Sequence, residues 1–366
     1  MIQPLPYVAR ISPYVPGKPV KELERELGIS SCVKLASNEN PHGPSPKAIA
    51  ALQQLLAGSG ELGRYPEGSG YYLKTALAVK LSLGGIPVGF DNLILGNGSN
   101  ELLDLAARTY MGPGDEAVMS QMSFVVYSSA VQSVGGIAHQ VPMTDYRHDL
   151  ERMADAITPK TRIVFIANPN NPTGTTNSAG EFDRFMQRVP ENILVIVDEA
   201  YIEYVTRTDY PNTLRYFGEG RDVLLLRTFS KIYGLASLRI GYGIASEGIV
   251  TAINRLREPF NTNTPAQIAA EHALADEDHV RRSIENNEAG KKYLMKELAA
   301  AGMLAVPSEA NFIFVPLATE SMPLFEALLR KGVIIRPAGP KAVRITIGLP
   351  HENERFIAAL KEVMSA

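Results

Sequence analysis

The chain has 366 residues, with 36 Lys plus Arg against 39 Asp plus Glu, a single cysteine and no tryptophan. That length suggests about two domains and is ample for a well-buried core. A formal net charge of −3 leaves no positive field to gather nucleic acid or an acidic membrane surface. Cys32 has no partner for an internal disulfide, and the six histidines (42, 139, 148, 272, 279, 351) show no metal-ligand spacing. No zinc or other metal site is expected, and the reading is cytoplasmic.

The first segment is broken by Pro4, Pro6, Pro13, Pro16 and Pro19, so it reads neither as a secretory apolar core nor as an amphipathic transit helix. Beyond it, short apolar runs alternate with longer amphipathic stretches. The runs at 93–95, 117–119, 163–166, 193–197, 223–226 and 240–244 predict strands, several without polar alternation, as expected where both faces are covered. Periodic stretches at 100–110, 125–134, 179–188 and 247–256 predict the helices between them. This order reads as an α/β fold with a mostly parallel, doubly wound sheet, whose ligands gather at the carboxyl ends of the strands. After about residue 259 the pattern changes. Helices are predicted at 265–274, 278–300, 322–331 and from 352, with strand segments at 312–315, 333–335 and 343–347: a smaller α+β unit. No run approaches the roughly 20 apolar residues that span a bilayer.

Familiar chemical motifs fail in turn. Gly17-Lys18 precedes Pro19 and Gly290-Lys291 precedes Lys292, so neither completes a phosphate loop. Gly96-Asn97-Gly98 lacks the third glycine of a dinucleotide fingerprint, and no Gly-X-Ser-X-Gly elbow is present. What remains is a set of polar residues just past predicted strands. Asn171 lies in a Pro/Gly turn after 163–166, where its ordinary reading is turn chemistry. Asp198 ends the run 193–197, and a carboxylate at a buried sheet edge needs a partner. An arginine or helix terminus would serve; so would a protonated heterocyclic nitrogen. Tyr201 either aims its phenol at the same place or packs on the sheet. Lys231 follows 223–226 between hydroxyls, where Thr228, Ser230 and Arg239 can bind a phosphate while the lysine forms an imine with an aldehyde. Ser99 and Asn100, at a helix start, offer backbone donors to the same anion.

Asn-Pro-Thr-Gly at 171–174, Asp198-Glu199-Ala200-Tyr201, and Ser230-Lys231 followed by Arg239 resemble the ordered signature of fold type I aminotransferases that use pyridoxal 5′-phosphate. Ser12-Pro-Tyr-Val-Pro-Gly-Lys-Pro19, Leu35-Ala-Ser-Asn-Glu-Asn-Pro41, Arg64-Tyr-Pro-Glu-Gly68, Asn261-Thr-Asn263 and Val343-Arg-Ile-Thr-Ile-Gly348 narrow the resemblance to the histidinol-phosphate aminotransferases. It runs from about Ile11 to the last helix.

The resemblance implies a large cofactor-binding domain over 37–258 and a small domain over 259–366, joined by an N-terminal arm, 1–36. It implies that Lys231 forms the Schiff base and shuttles the proton, with Asp198 holding the ring nitrogen protonated. Asn171 and Tyr201 would bond the 3′-oxygen, and Phe124 would stack on the ring where core packing is its ordinary role. Phosphate anchoring falls to Ser99, Asn100, Thr228, Ser230 and Arg239. Tyr65 would reach the cofactor phosphate of a neighbouring subunit, making a homodimer with shared sites. Tyr14, Asn38, Asn263, Arg336 and Arg344 would line a pocket that serves glutamate and histidinol phosphate in turn, by ping-pong transamination with 2-oxoglutarate. One departure touches substrate choice: only seven residues separate Arg336 from Arg344, where the family commonly has a longer loop. An aromatic amino-acid transaminase or a threonine-phosphate decarboxylase on the same scaffold therefore stays open. A non-catalytic cofactor-binding regulator is disfavoured, since every catalytic position is filled.

Overall fold

The computed structural model describes residues 2–13, 17–29, 31–58 and 60–365. In chain order its strands are β1 (Val33–Lys34), β2 (Leu93–Gly96), β3 (Glu116–Ser120), β4 (Ile137–Val141), β5 (Thr161–Ala167), β6 (Leu194–Asp198), β7 (Val223–Thr228), β8 (Gly241–Ile244), β9 (Phe312–Pro316), β10 (Val333–Ile334), β11 (Arg336–Pro337) and β12 (Ala342–Thr346). Seven of them form one sheet in the order β2-β8-β7-β6-β5-β3-β4. β8 runs antiparallel to both its neighbours, and every other pairing is parallel. The apolar runs read from the sequence all became strands of this sheet.

Side-chain alternation along these strands supplies two cores. Val118, Val164, Ile166, Val195, Val197 and Leu225 point to one face, where they meet helices Pro46–Gly58, Tyr71–Ser82 and Thr264–Leu274. Met119, Ile163, Phe165, Ile196 and Leu226 point to the other, against helices Ser99–Tyr110, Val126–Ser133 and Glu247–Asn254. Helix Thr264–Leu274 thus joins the core on this face of the large sheet through Ala266, Ala269, Ala270 and Ala273, although it follows residue 259. β4 escaped the sequence reading because it is an edge strand. Ile-Ala-His-Gln-Val has no continuous apolar run, and only Val141 is buried. Helix Pro46–Gly58 was also missed, though Ser45 before a proline at the helix start is a readable signal.

A second, three-stranded antiparallel sheet has the order β11-β12-β9. Val343, Ile345 and Ile347 bury one face of it against Leu294 and Leu298 of helix Glu277–Ala300 and Phe356 of helix Pro350–Ser365. The N-terminal segment joins this unit, since β1 pairs in parallel with β10. Among the described residues no helix is long and apolar enough to cross a membrane.

The turn after Lys231 is locked against residues 40–44. Gly234 has φ +70, and a Cβ there would collide with the Gly43 carbonyl oxygen, while Asn40 Nδ2 donates to Ile232 O at 2.6 Å. Gly234→Ala is expected to cost about 1–3 kcal/mol in strain alone, seen as a lowered thermal midpoint. An unchanged midpoint would show that this turn yields freely.

Candidate active site

Three neighbouring parallel strands deliver the central residues. Ala167 at the end of β5 lies opposite Asp198 at the end of β6, and Asp198 lies opposite Leu226 on β7. The turn 168–174, Asp198 itself and Lys231 therefore emerge side by side at one edge of the sheet. β8 then brings a fourth group across. Gly241 pairs with Thr228 on one side and Gly96 on the other, which sets the start of helix Ser99–Tyr110 beside Thr228. Gly241 has to be small, because a Cβ would stand 2.6 Å from the Ser99 nitrogen.

These elements enclose a cavity of about 230 Å³. Ser99, Asn100, Phe124, Asn171, Asp198, Tyr201, Thr228, Ser230, Lys231 and Arg239 line it from the large unit, with Asn38, Arg336 and Arg344 on the opposite side. The sequence reading named every one of these. Asn263 and Tyr65 stand elsewhere. Asn263 caps helix Thr264–Leu274, accepting from Ala266 N at 2.8 Å and donating to Leu238 O at 3.0 Å. Tyr65 is 80% exposed and stacks on Phe260 with ring centroids 4.7 Å apart. Tyr14 falls outside the described residues.

Asp198 is buried. Its Oδ2 accepts from the Tyr127 hydroxyl at 2.7 Å and its Oδ1 from Ala200 N at 3.2 Å. Burial raises its pKa above the ordinary aspartate value, against the pull of those two donors and of Lys231. The Lys231 amine donates to Ser37 O at 3.4 Å and stands 5.7 Å from the centre of the Tyr201 ring. Burial first, then the positive charges of Arg344 and Arg239, pushes this amine down to about 8. A lysine so placed carries a far larger neutral fraction near physiological pH than an ordinary lysine, as nucleophilic and proton-transfer roles require.

One end of the cavity is an anion cradle. Helix Ser99–Tyr110 presents its first N–H groups there, and the helix dipole adds to them. Ser230 N donates to Thr228 Oγ1 at 3.1 Å, and Arg239 Nη1 lies 3.4 Å from Ser230 Oγ. Gly98 leaves room for that guanidinium, since its Cβ would sit 2.5 Å from Arg239 Nη2.

The other end is built by the small sheet. On β12 Arg344 and Thr346 lie on the side away from the core packed by Val343, Ile345 and Ile347, and Arg344 lines the cavity. Arg344 donates to Asn171 Oδ1 and to Ala36 O, each at 2.6 Å. Thr346 Oγ1 accepts from Asn38 N at 2.9 Å and donates to Asn38 Oδ1 at 3.0 Å, while Asn38 Nδ2 donates to the Tyr201 hydroxyl at 2.9 Å. The short connection noted in the sequence closes a tight hairpin, in which Arg336 pairs directly across from Arg344. Like charges placed opposite each other repel, so this hairpin favours an anion at its face.

The sequence reading missed Tyr127, which lines the cavity beside Asp198. Tyr127 lies in the first turn of helix Val126–Ser133, while Phe124 precedes the helix, so no shared face marked it. The two rings meet edge-on with centroids 5.8 Å apart.

The chain matches the model of the family described as aminotransferase class I and II over residues 30–360. A histidinol-phosphate aminotransferase of Moorella thermoacetica is 51% identical over 363 residues, spanning 98% of this chain and 92% of that protein. Histidinol-phosphate aminotransferase 2 of Pseudomonas fluorescens is 50% identical over 366 residues, spanning 98% and 97%. Among solved structures, histidinol-phosphate aminotransferase from Sinorhizobium meliloti, in complex with pyridoxal-5′-phosphate, is similar with a TM-score of 0.90 at 29% identity, covering 98% of this chain and 97% of that one. An aspartate aminotransferase of Thermus thermophilus shares the fold, with a TM-score of 0.85 at 23% identity over the full length of both chains.

The lowered Lys231 pKa has a direct readout. Labelling of Lys231 by an amine-directed reagent should rise with pH around a midpoint of about 8. Arg344→Gln removes a neighbouring positive charge and should move that midpoint upward, toward the ordinary lysine range. A midpoint near 10 in the unaltered protein, followed by peptide mapping, would contradict the electrostatics described.

Proposed function

The chain belongs to the aminotransferase class I and II family, and from that premise we propose that it moves an amino group between L-histidinol phosphate and 2-oxoglutarate. The products are imidazole acetol phosphate and glutamate, a step of histidine biosynthesis, with pyridoxal 5′-phosphate as cofactor. The observation that carries this reading is the convergence of Lys231, Asp198 and an anion cradle on one cavity.

The donor set fits the cofactor. A cradle kept open by Gly98 and Gly241 suits a phosphate, a buried carboxylate suits a protonated ring nitrogen, and a neutral amine suits an aldehyde carbon. When bound, the cofactor's ring takes up the electron pair left at the substrate's α-carbon. Ser99, Asn100, Thr228, Ser230 and Arg239 hold the phosphate. Asp198 keeps a proton on the ring nitrogen, and Phe124 covers a ring face. Asn171 and Tyr201 hydrogen-bond the 3′-oxygen. Lys231 Nζ would accept the proton of the substrate's α-carbon and hold it for return, work for which an amine pushed down to about 8 is suited. Arg344, with Arg336 across the hairpin, clamps the carboxylate or phosphate of the donor in turn. Asn38 fixes the Tyr201 hydroxyl and borders the same space.

Tyr65 and Asn263 lie outside this cavity in the single chain. The exposed Tyr65–Phe260 stack supports a homodimer in which Tyr65 serves a neighbour's phosphate. We assign the protein to the cytoplasm, with small molecules as its substrates.

The test is turnover of histidinol phosphate with 2-oxoglutarate, beside phenylalanine and threonine phosphate as competitors. Histidinol phosphate should be the preferred donor, and Lys231→Ala should lower kcat by about 10³-fold or more. Preference for phenylalanine, or decarboxylation of threonine phosphate, would overturn the substrate assignment.

A further inference from the structure

The phenol of Tyr127 has no place in the function proposed above, yet it makes the shortest contact to Asp198. Tyr127 is 0% exposed, and among the described residues its hydroxyl is hydrogen-bonded to Asp198 Oδ2. Its ring is set by packing that does not involve the aspartate. It stacks on Phe165 of β5 with centroids 5.1 Å apart and planes within 12°, and it meets Phe124 edge-on at 5.8 Å and 86°. The donor is therefore held in place before any ligand arrives.

We infer that Tyr127 is a positioning residue, whose hydroxyl holds the Asp198 carboxylate ionised and aimed at the ring nitrogen of the cofactor. The inference rests on the function proposed above. Two donors, the Tyr127 hydroxyl and Ala200 N, engage one oxygen each and favour the ionised carboxylate. Each oxygen keeps a lone pair for a ring N–H. The other groups acting on Asp198 do not substitute for the phenol. Lys231 attracts a negative charge there, but its amine is itself half neutral near pH 8. Glu199 repels it, although Arg227 pairs with that carboxylate at 2.8 Å. The phenols of Tyr201 and Tyr210 are also in the surroundings, with the Tyr201 oxygen engaged by Asn38. Burial works against ionisation throughout. Removing the hydroxyl leaves burial opposed by Ala200 N and Lys231 alone, so Asp198 takes up a proton at a higher pH.

The consequence follows from linkage. Cofactor binding that needs an ionised Asp198 weakens as pH falls through the carboxyl pKa. In Tyr127→Phe that weakening should begin at a higher pH than in the wild type. Phenylalanine keeps the shape and both ring contacts, so the packing survives.

The experiment is equilibrium dialysis of pyridoxal 5′-phosphate against wild type, Tyr127→Phe, Asp198→Asn and the double variant, across a pH series. Tyr127→Phe should raise Kd about ten- to a hundredfold at neutral pH, the range for losing a hydrogen bond to a charged group. In the Asp198→Asn background the same change should have little further effect. An unaltered Kd and pH profile in Tyr127→Phe would overturn the inference while leaving the function intact. So would an equal loss in both backgrounds, the mark of a packing role. Failure of the wild type to retain the cofactor would overturn the proposed function and this inference with it.

Discussion

The in-register parallel pairing of β5, β6 and β7 is the constraint on which the site depends. Hydrogen-bonded strands lie about 4.8 Å apart, so residues that end adjacent strands are neighbours whatever their distance in sequence. Ala167, Asp198 and Leu226 share one level of the ladder. β5 and β6 leave the sheet there, and β7 does so two residues later, after Thr228. That puts the Asn171 turn, the Asp198 carboxylate and the Lys231 amine around one space. Because both faces of these strands are sealed by apolar side chains, the exit at the carboxyl edge is also where polarity has to be concentrated.

The resulting chemistry is a balance between two buried charges of opposite sign. Burial pushes the aspartate toward neutrality and the lysine toward neutrality as well. Hydrogen bonds from Tyr127 and Ala200 oppose the first effect, the phenol being set by its packing on Phe165 and Phe124. The second is reinforced by Arg344 and Arg239, whose charges disfavour a third cation between them. One cavity thus brings together a hydrogen-bonded carboxylate and an amine whose pKa is lowered to about 8, with arginines and a helix start along its walls. That combination is what separates it from a general ligand cleft.

The small unit closes the cavity by alternation along a single strand. Val343 and Ile345 of β12, with Ile347 just after it, anchor it in its own core, and the residues between them, Arg344 and Thr346, reach across. Arg344 holds Asn171 and Ala36 together, and Thr346 holds Asn38, so the N-terminal segment, the large sheet and the small sheet meet at these two side chains. Much of this was legible beforehand. Apolar runs located the interior strands, and polar residues just past them located Asn171, Asp198 and Lys231. The alternation of 343–347 separated Arg344 from the core side. Other parts were hidden for physical reasons. β4 is a half-exposed edge, and β1 pairs with a strand 300 residues away in sequence. Tyr127 reads locally as one more core aromatic, because its meaning lies in a hydrogen bond to a residue 71 positions distant. Asn263 and Tyr65 were read as site residues by resemblance, but in the single chain one caps a helix and the other stands exposed.

The central claim is that Lys231 is the residue to which the cofactor becomes attached. Incubation with pyridoxal 5′-phosphate, reduction with borohydride to fix the linkage, and peptide mapping by mass spectrometry test it directly. The expected result is one modified peptide, with the cofactor on Lys231 at a stoichiometry near one per chain. Attachment spread over surface lysines, with Lys231 unmodified, would contradict it.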